Sequence, residues 1–172
     1  MNSSNRGYAE ERRRSLLVLG ADFVRAIRGM KGIERIALIG SLCTDKANPK
    51  DIDFLLSLQP GMDLKGLARP GRRLMGSAQC MASGADIFLV EGGRHIGRVC
   101  HYRECHPRVL CRALHCGLRP HLNDDLERLH LKDSVIAEPA LVLWPEWKAK
   151  AEVPEDTLQI LRLGLDGKIA GP

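Results

Sequence analysis

The sequence predicts an α/β (α+β) fold, a small mixed β-sheet flanked by helices, together with a Cys-rich segment stabilised by metal. Three observations predict it. Residues 10–30 repeat apolar positions at helical spacing. Three short runs of Ile, Leu, Val and Phe read as buried strands, in the order helix, strand, strand, helix, strand. Four cysteines then crowd into a stretch with few aliphatic residues of its own. With 172 residues, 44% of them apolar, the chain can bury one core, or a domain with a small appendage.

Leu16, Leu17, Leu19, Phe23, Val24 and Ile27 recur at three- and four-residue steps, which predicts an amphipathic helix over 10–30, punctuated by Gly29 and Gly32. Residues 33–39 read as a buried strand with Gly40 at its C-terminal edge, and 44–50 as a polar connection. Residues 51–58 alternate charged and apolar positions and then turn wholly apolar, as a strand covered on both faces does, until Pro60-Gly61 stops them. Over 64–81 the helical pattern is interrupted by Gly66, Pro70, Gly71 and Gly76, which predicts a broken or short helix. Residues 85–90 are the third strand, closed by Gly92-Gly93. Composition then divides the chain into a core over 1–92, a Cys/His/Arg-rich metal-binding module over 93–122, and a C-terminal extension over 123–172 that packs on the core.

The net charge of +5 is uneven: residues 1–123 carry 20 Lys and Arg against 11 Asp and Glu, whereas 124–172 carry 6 against 10. The basic part would attract polyphosphate, or it simply solvates the surface. Aromatic residues are only 4%, too few for a stacking platform on single-stranded nucleic acid. No apolar run approaches the roughly 20 residues that a membrane span requires. The first apolar stretch is framed by Arg12-Arg13-Arg14 and by Asp22, Arg25 and Arg28, unlike a secretory signal. The expectation is a cytoplasmic protein with no membrane partner.

The sharpest constellation is Gly40-Ser41, then Asp51-Ile52-Asp53, then Asp86, each at a strand or strand edge. Residues two apart on a strand share a face, so Asp51 and Asp53 project together. Adjacent carboxylates repel unless a cation offsets their charge, and a hard, oxygen-seeking ion such as Mg²⁺ (or Mn²⁺) is the expected one. Gly40 lets backbone approach closely, and N–H groups of the turn after it, with the Ser41 hydroxyl, can cradle phosphate. Taken singly, Asp-x-Asp is as readily a capped turn, and Gly-Ser an ordinary one. The combination carries the inference.

That pattern resembles the polymerase-β-like, or minimal, nucleotidyltransferase superfamily, whose signature is an apolar strand ending in Gly-Ser, a variable loop, then Asp-apolar-Asp on the next strand. Here it stands as Ala37-Leu38-Ile39-Gly40-Ser41, a loop, and Asp51-Ile52-Asp53-Phe54-Leu55-Leu56, with Asp86 of Ala85-Asp86-Ile87-Phe88-Leu89-Val90 as the third carboxylate. The likeness spans residues 10–92, about half the chain. It implies that Gly40 and Ser41 bind a triphosphate, that Asp51 and Asp53 hold the metals, and that Asp86 serves the second metal or the acceptor hydroxyl. The implied reaction transfers a nucleoside monophosphate from a nucleoside triphosphate to a hydroxyl on a protein, RNA or small molecule. The loop over 42–50 departs from the family in lacking the Arg-Gly pair that many small members carry. Two rival readings are a catalytically silent module that binds nucleic acid or a partner protein, and a toxin–antitoxin component.

The cysteines run Cys100-x4-Cys105-x5-Cys111-x4-Cys116, with His101, His106 and His115 among them. Such density points to a structural zinc held by the four thiolates or a mixed Cys/His set, with an iron–sulfur cluster, a redox-active thiol set or buried cysteines as the alternatives. Cys43 and Cys80 read as small core residues. Arg103, Arg108, Arg112 and Arg119 interleave with the cluster, fit for phosphate or an RNA backbone, or for a solvated face. Asn123-Asp124-Asp125-Leu126 reads as a cap, and Trp144 and Trp147 as packing anchors.

Overall fold

The structure, a computed structural model, describes residues 3–105, 113–114, 116, 118–127 and 129–169. In chain order its elements are α1 (Ser3–Ile27), β1 (Ile33–Ile39), a single 3-10 turn (Gly40–Cys43), β2 (Asp51–Leu58), α2 (Lys65–Cys80), β3 (Gly84–Glu91), β4 (Arg94–Val99) and β5 (Leu122–Asn123). They continue with α3 (Asp133–Ala137), β6 (Leu141–Trp144), β7 (Lys148–Ala149) and α4 (Glu155–Leu165). The mixed α+β class expected from the sequence holds. Among the described residues the strands form one seven-stranded sheet in the order β5-β4-β3-β2-β1-β6-β7. Only β2 and β3 run parallel, joined by α2; the other neighbours are antiparallel.

Strand alternation divides the core. Ile36 and Leu38 of β1, Ile52, Phe54, Leu56 and Leu58 of β2, and Ile87 and Leu89 of β3 face α1, α2 and α4 in the larger cluster. Ala37, Ile39, Leu55, Phe88 and Val90 face the other way, into a small cluster capped by Ile136 of α3 and by Leu129 and Leu131. Both faces of β2 and β3 are thus apolar in their middles, which explains their near-continuous hydrophobic runs.

Two expected elements change. α2 is a continuous helix with Pro70 inside it rather than a broken one. Its buried positions Leu67, Ala68, Gly71, Leu74 and Ala78 lie at helical spacing, and burying that stripe outweighs the one hydrogen bond that Pro70 cannot donate. α1 extends back to Ser3, a turn and more beyond the start of the apolar periodicity that marks it in the sequence.

Arg94–Val99, grouped by composition with the cysteine module, is a strand of the sheet, and the patch over 140–144 supplies β6 beside β1. Trp144 and Trp147 pack against the larger cluster as anchors, with the Arg162 guanidinium 5.1 Å over the Trp147 ring. Cys43 is buried as expected, whereas Cys80 is exposed at the last turn of α2, on the helix face away from the sheet. No helix among the described residues is long and apolar enough to cross a membrane.

Candidate active site

Strand register sets the site. Ile39 pairs with Asp53 across β1 and β2, and Asp53 pairs with Asp86 across β2 and β3. Asp51 and Asp53 share the face of Leu55, and Asp86 that of Phe88, so all three carboxylates stand on the face opposite α1, α2 and α4. They lie beyond the small apolar cluster, at the N-terminal ends of β2 and β3, where Asp51 is exposed and Asp53 and Asp86 half-buried.

Two glycines make room for them. Gly40 has φ +76°, a conformation that disfavours any side chain, and a Cβ there would collide with the Asp53 carboxylate. A Cβ on Gly84 would come within 2.5 Å of Asp51 Oδ1, which accepts a hydrogen bond from the Gly84 N–H at 3.1 Å. The 3-10 turn that Gly40 opens is anchored from below. The carbonyl of Leu42 accepts from Arg13 Nη2 at 3.0 Å and from Thr157 Oγ1 at 3.0 Å, tying the turn to α1 and α4. The Cys43 thiol donates to the Leu38 carbonyl at 3.3 Å, and its burial pushes its pKa up to about 12, so it sits inert beneath the turn. Arg12 holds Asn48 of the following loop.

The electrostatics converge on Asp53. Burial, followed by the charges of Asp86 and then Asp51, raises its pKa to about 7, while Lys46 pulls the other way. Lys46 also lines a cleft of about 490 Å³ between α1, the loop after the 3-10 turn and the start of α4, together with Glu10, Arg13, Asp45 and Asp156. Asp86 has a cationic partner of its own: Arg98 Nη1 on β4 lies 2.7 Å from its Oδ1.

The structure therefore gathers Gly40, Ser41, Asp51, Asp53 and Asp86 into one neighbourhood. It does not gather the carboxylates on one point: among the described residues, no group of three or more His, Cys, Asp or Glu side chains is placed to hold a metal ion. Asp51 is turned to the Gly84 N–H and Asp86 to Arg98, leaving Asp53 between them. Arg98 is not marked by any motif. Its signal was the hairpin, since Gly92-Gly93, both at positive φ, make the two-residue turn that returns β4 along β3.

In the cysteine segment, the Cys100 N–H donates to the His121 carbonyl at 2.8 Å, and the His121 N–H lies 3.3 Å from Cys105 Sγ. This knot leads into β5. Cys116 is half-buried, and Cys111, His106, His115, Arg108 and Arg112 lie outside the described residues. Arg119 pairs with Glu91 and donates to the Met62 carbonyl at 3.0 Å, so this guanidinium is engaged within the fold. The Asp125 N–H is capped by Asn123 Oδ1 at 3.2 Å, the turn that the Asn-Asp-Asp run suggests.

Comparison of the chain with family models, with curated proteins and with solved structures returns no match.

Proposed function

We propose that this chain is a metal-dependent nucleotidyltransferase, moving a nucleoside monophosphate from a nucleoside triphosphate to a hydroxyl acceptor. The seat of Asp53 carries the reading. Its carboxylate fills the space that Gly40 leaves open, stands beside Asp86, and holds a pKa raised to about 7. A fold that only needed a polar residue there would have no reason to press like charges together on a half-buried face.

The donor set fits a hard divalent cation: only carboxylate oxygens, crowded enough that their own repulsion favours a positive ion, with a glycine cradle where a Cβ would intrude. Asp51, Asp53 and Asp86 are the residues that would hold it. When bound, a divalent cation would offset phosphate charge and lower the pKa of the acceptor hydroxyl. Gly40 and Ser41 present the turn on which the triphosphate would rest, and Arg13 and Thr157 keep that turn in place through the Leu42 carbonyl. Asp86, one strand further from the turn, would serve the cation or orient the acceptor hydroxyl. What supports a structural zinc in the cysteine segment is its crowding of Cys100, Cys105, Cys111 and Cys116, and elemental analysis of the purified protein separates zinc from iron and from neither.

The test is incubation with each α-labelled nucleoside triphosphate, Mg²⁺ and cell extract. Label should pass to an acceptor with wild type and not with Asp53→Asn, while both keep the same circular dichroism. Equal labelling by Asp53→Asn sinks the proposal.

A further inference from the structure

The three carboxylates share a face but are not equally available. The Gly84 N–H, shared with the Lys50 carbonyl, reaches Asp51, and Arg98 holds Asp86, whereas no hydrogen bond or ion pair reaches Asp53 among the described residues. Arg98 pairs with Phe88 in the β3–β4 ladder, so its guanidinium reaches diagonally back two residues to Asp86. Both side chains remain open to water, Arg98 at 25% and Asp86 at 39% exposure, so the contact can exchange.

We infer that Arg98 is the resident counter-ion of this site and gates its third carboxylate: a divalent cation can engage Asp51 and Asp53 directly, but recruits Asp86 against the charge of the Arg98 guanidinium, which it displaces from Oδ1. The inference rests on the divalent-cation reading above. A guanidinium and a cation seek the same carboxylate: with Arg98 Nη1 2.7 Å from Asp86 Oδ1, an ion that approaches either oxygen of Asp86 meets the positive charge of Arg98. This accounts for the lack of a convergent three-carboxylate set although register brings Asp53 and Asp86 side by side. Once displaced, the guanidinium remains at the rim of the site, where its planar fork suits phosphate oxygens. Arg98 is thus a positioning residue, acting through Asp86.

The experiment measures Mn²⁺ binding to the whole chain, without nucleotide, by electron paramagnetic resonance. Arg98→Gln should bind Mn²⁺ about 1.5- to fivefold more tightly than wild type, the range expected when an exposed competing ion pair is removed. Arg98→Lys should remain near wild type. In the wild-type chain the Arg98 side-chain N–H resonance, assigned by its absence in Arg98→Lys, should move as Mg²⁺ is added. Unchanged or weaker Mn²⁺ binding by a folded Arg98→Gln, or an unmoved resonance at saturating Mg²⁺, overturns the gate and leaves the cation reading standing. Absence of Mn²⁺ binding at millimolar concentration by wild type and Arg98→Gln alike overturns the cation reading, and the gate with it.

Discussion

The carboxylate of Asp53 occupies the space that a side chain on Gly40 would need. The pairing of Ile39 with Asp53 across β1 and β2 brings them together, so the glycine after one strand and the aspartate on the next form a single steric unit. A Gly-Ser turn and an Asp-x-Asp strand, separated in the chain by the loop over 42–50, depend on each other for this reason.

Asp53 should cost the cation-free protein stability at neutral and alkaline pH. Its native pKa is raised from 3.8 to about 7, so the folded state keeps a proton that the unfolded chain has released. The resulting stabilisation is fully present below pH 3.8 and is lost as pH rises through about 7. Asp53→Asn carries no such charge. Thermal melts in chelator should show the variant roughly 2–6 °C more stable than wild type at pH 8, with the gap closing by pH 4. A gap independent of pH would contradict the assigned cause.

Gly40→Ala and Gly61→Ala separate backbone strain from the carboxylate contact. Both glycines have φ +76°, but a Cβ at Gly61 meets nothing within 4 Å. Gly61→Ala should cost about 1–2 kcal/mol for the left-handed conformation alone. Gly40→Ala should cost about 2–4 kcal/mol in urea titrations, because Asp53 must also move.

Arg13 is buried, with Nη2 2.6 Å from Thr157 Oγ1 and Nε 3.0 Å from Asp156. Arg13→Met should lose about 2–3 kcal/mol, because the Leu42 carbonyl and Thr157 lose their charged donor. Hydrogen exchange of the 40–44 amides should accelerate more than that of β2. Equal acceleration across both would show that Arg13 does not anchor the turn selectively.

His95 should make the fold acid-sensitive. The ring is buried, with Nε2 3.0 Å from the Gly97 carbonyl and Nδ1 3.4 Å from the Leu131 N–H, so the neutral tautomer satisfies both contacts. Burial lowers its pKa, with His130 and Arg98 adding repulsion, whereas the Gly97 carbonyl acts the other way. Below the unfolded value of 6.5 the unfolded chain takes up a proton that the native ring resists, so stability falls as pH drops from there to the native pKa. The urea midpoint of wild type should decline between pH 7.5 and 5 by more than that of His95→Gln, and parallel declines would assign the acid limb to other groups.

The first three strands, and the shared face of Asp51 and Asp53, were legible because strand alternation is local: it depends on residues two apart and on nothing distant. The Gly40 turn was legible for the same reason. α2 was misread because helix breakers are equally local, whereas the burial of Leu67, Leu74 and Ala78 that overrules Pro70 depends on the sheet beneath them. The pairing of β6 with β1, the reach of Arg98 to Asp86 and the insertion of Arg13 between the 3-10 turn and α4 join residues far apart in the chain. Such partners are selected by register and packing across the assembled sheet, and periodicity within a short window carries no information about which distant charge will arrive. The amino-acid order thus set out a row of acidic groups beside a glycine, and the closing of the sheet determined that Asp86 is paired with Arg98, that Asp51 stays exposed beside the Gly84 N–H, and that Asp53 is half-buried between them.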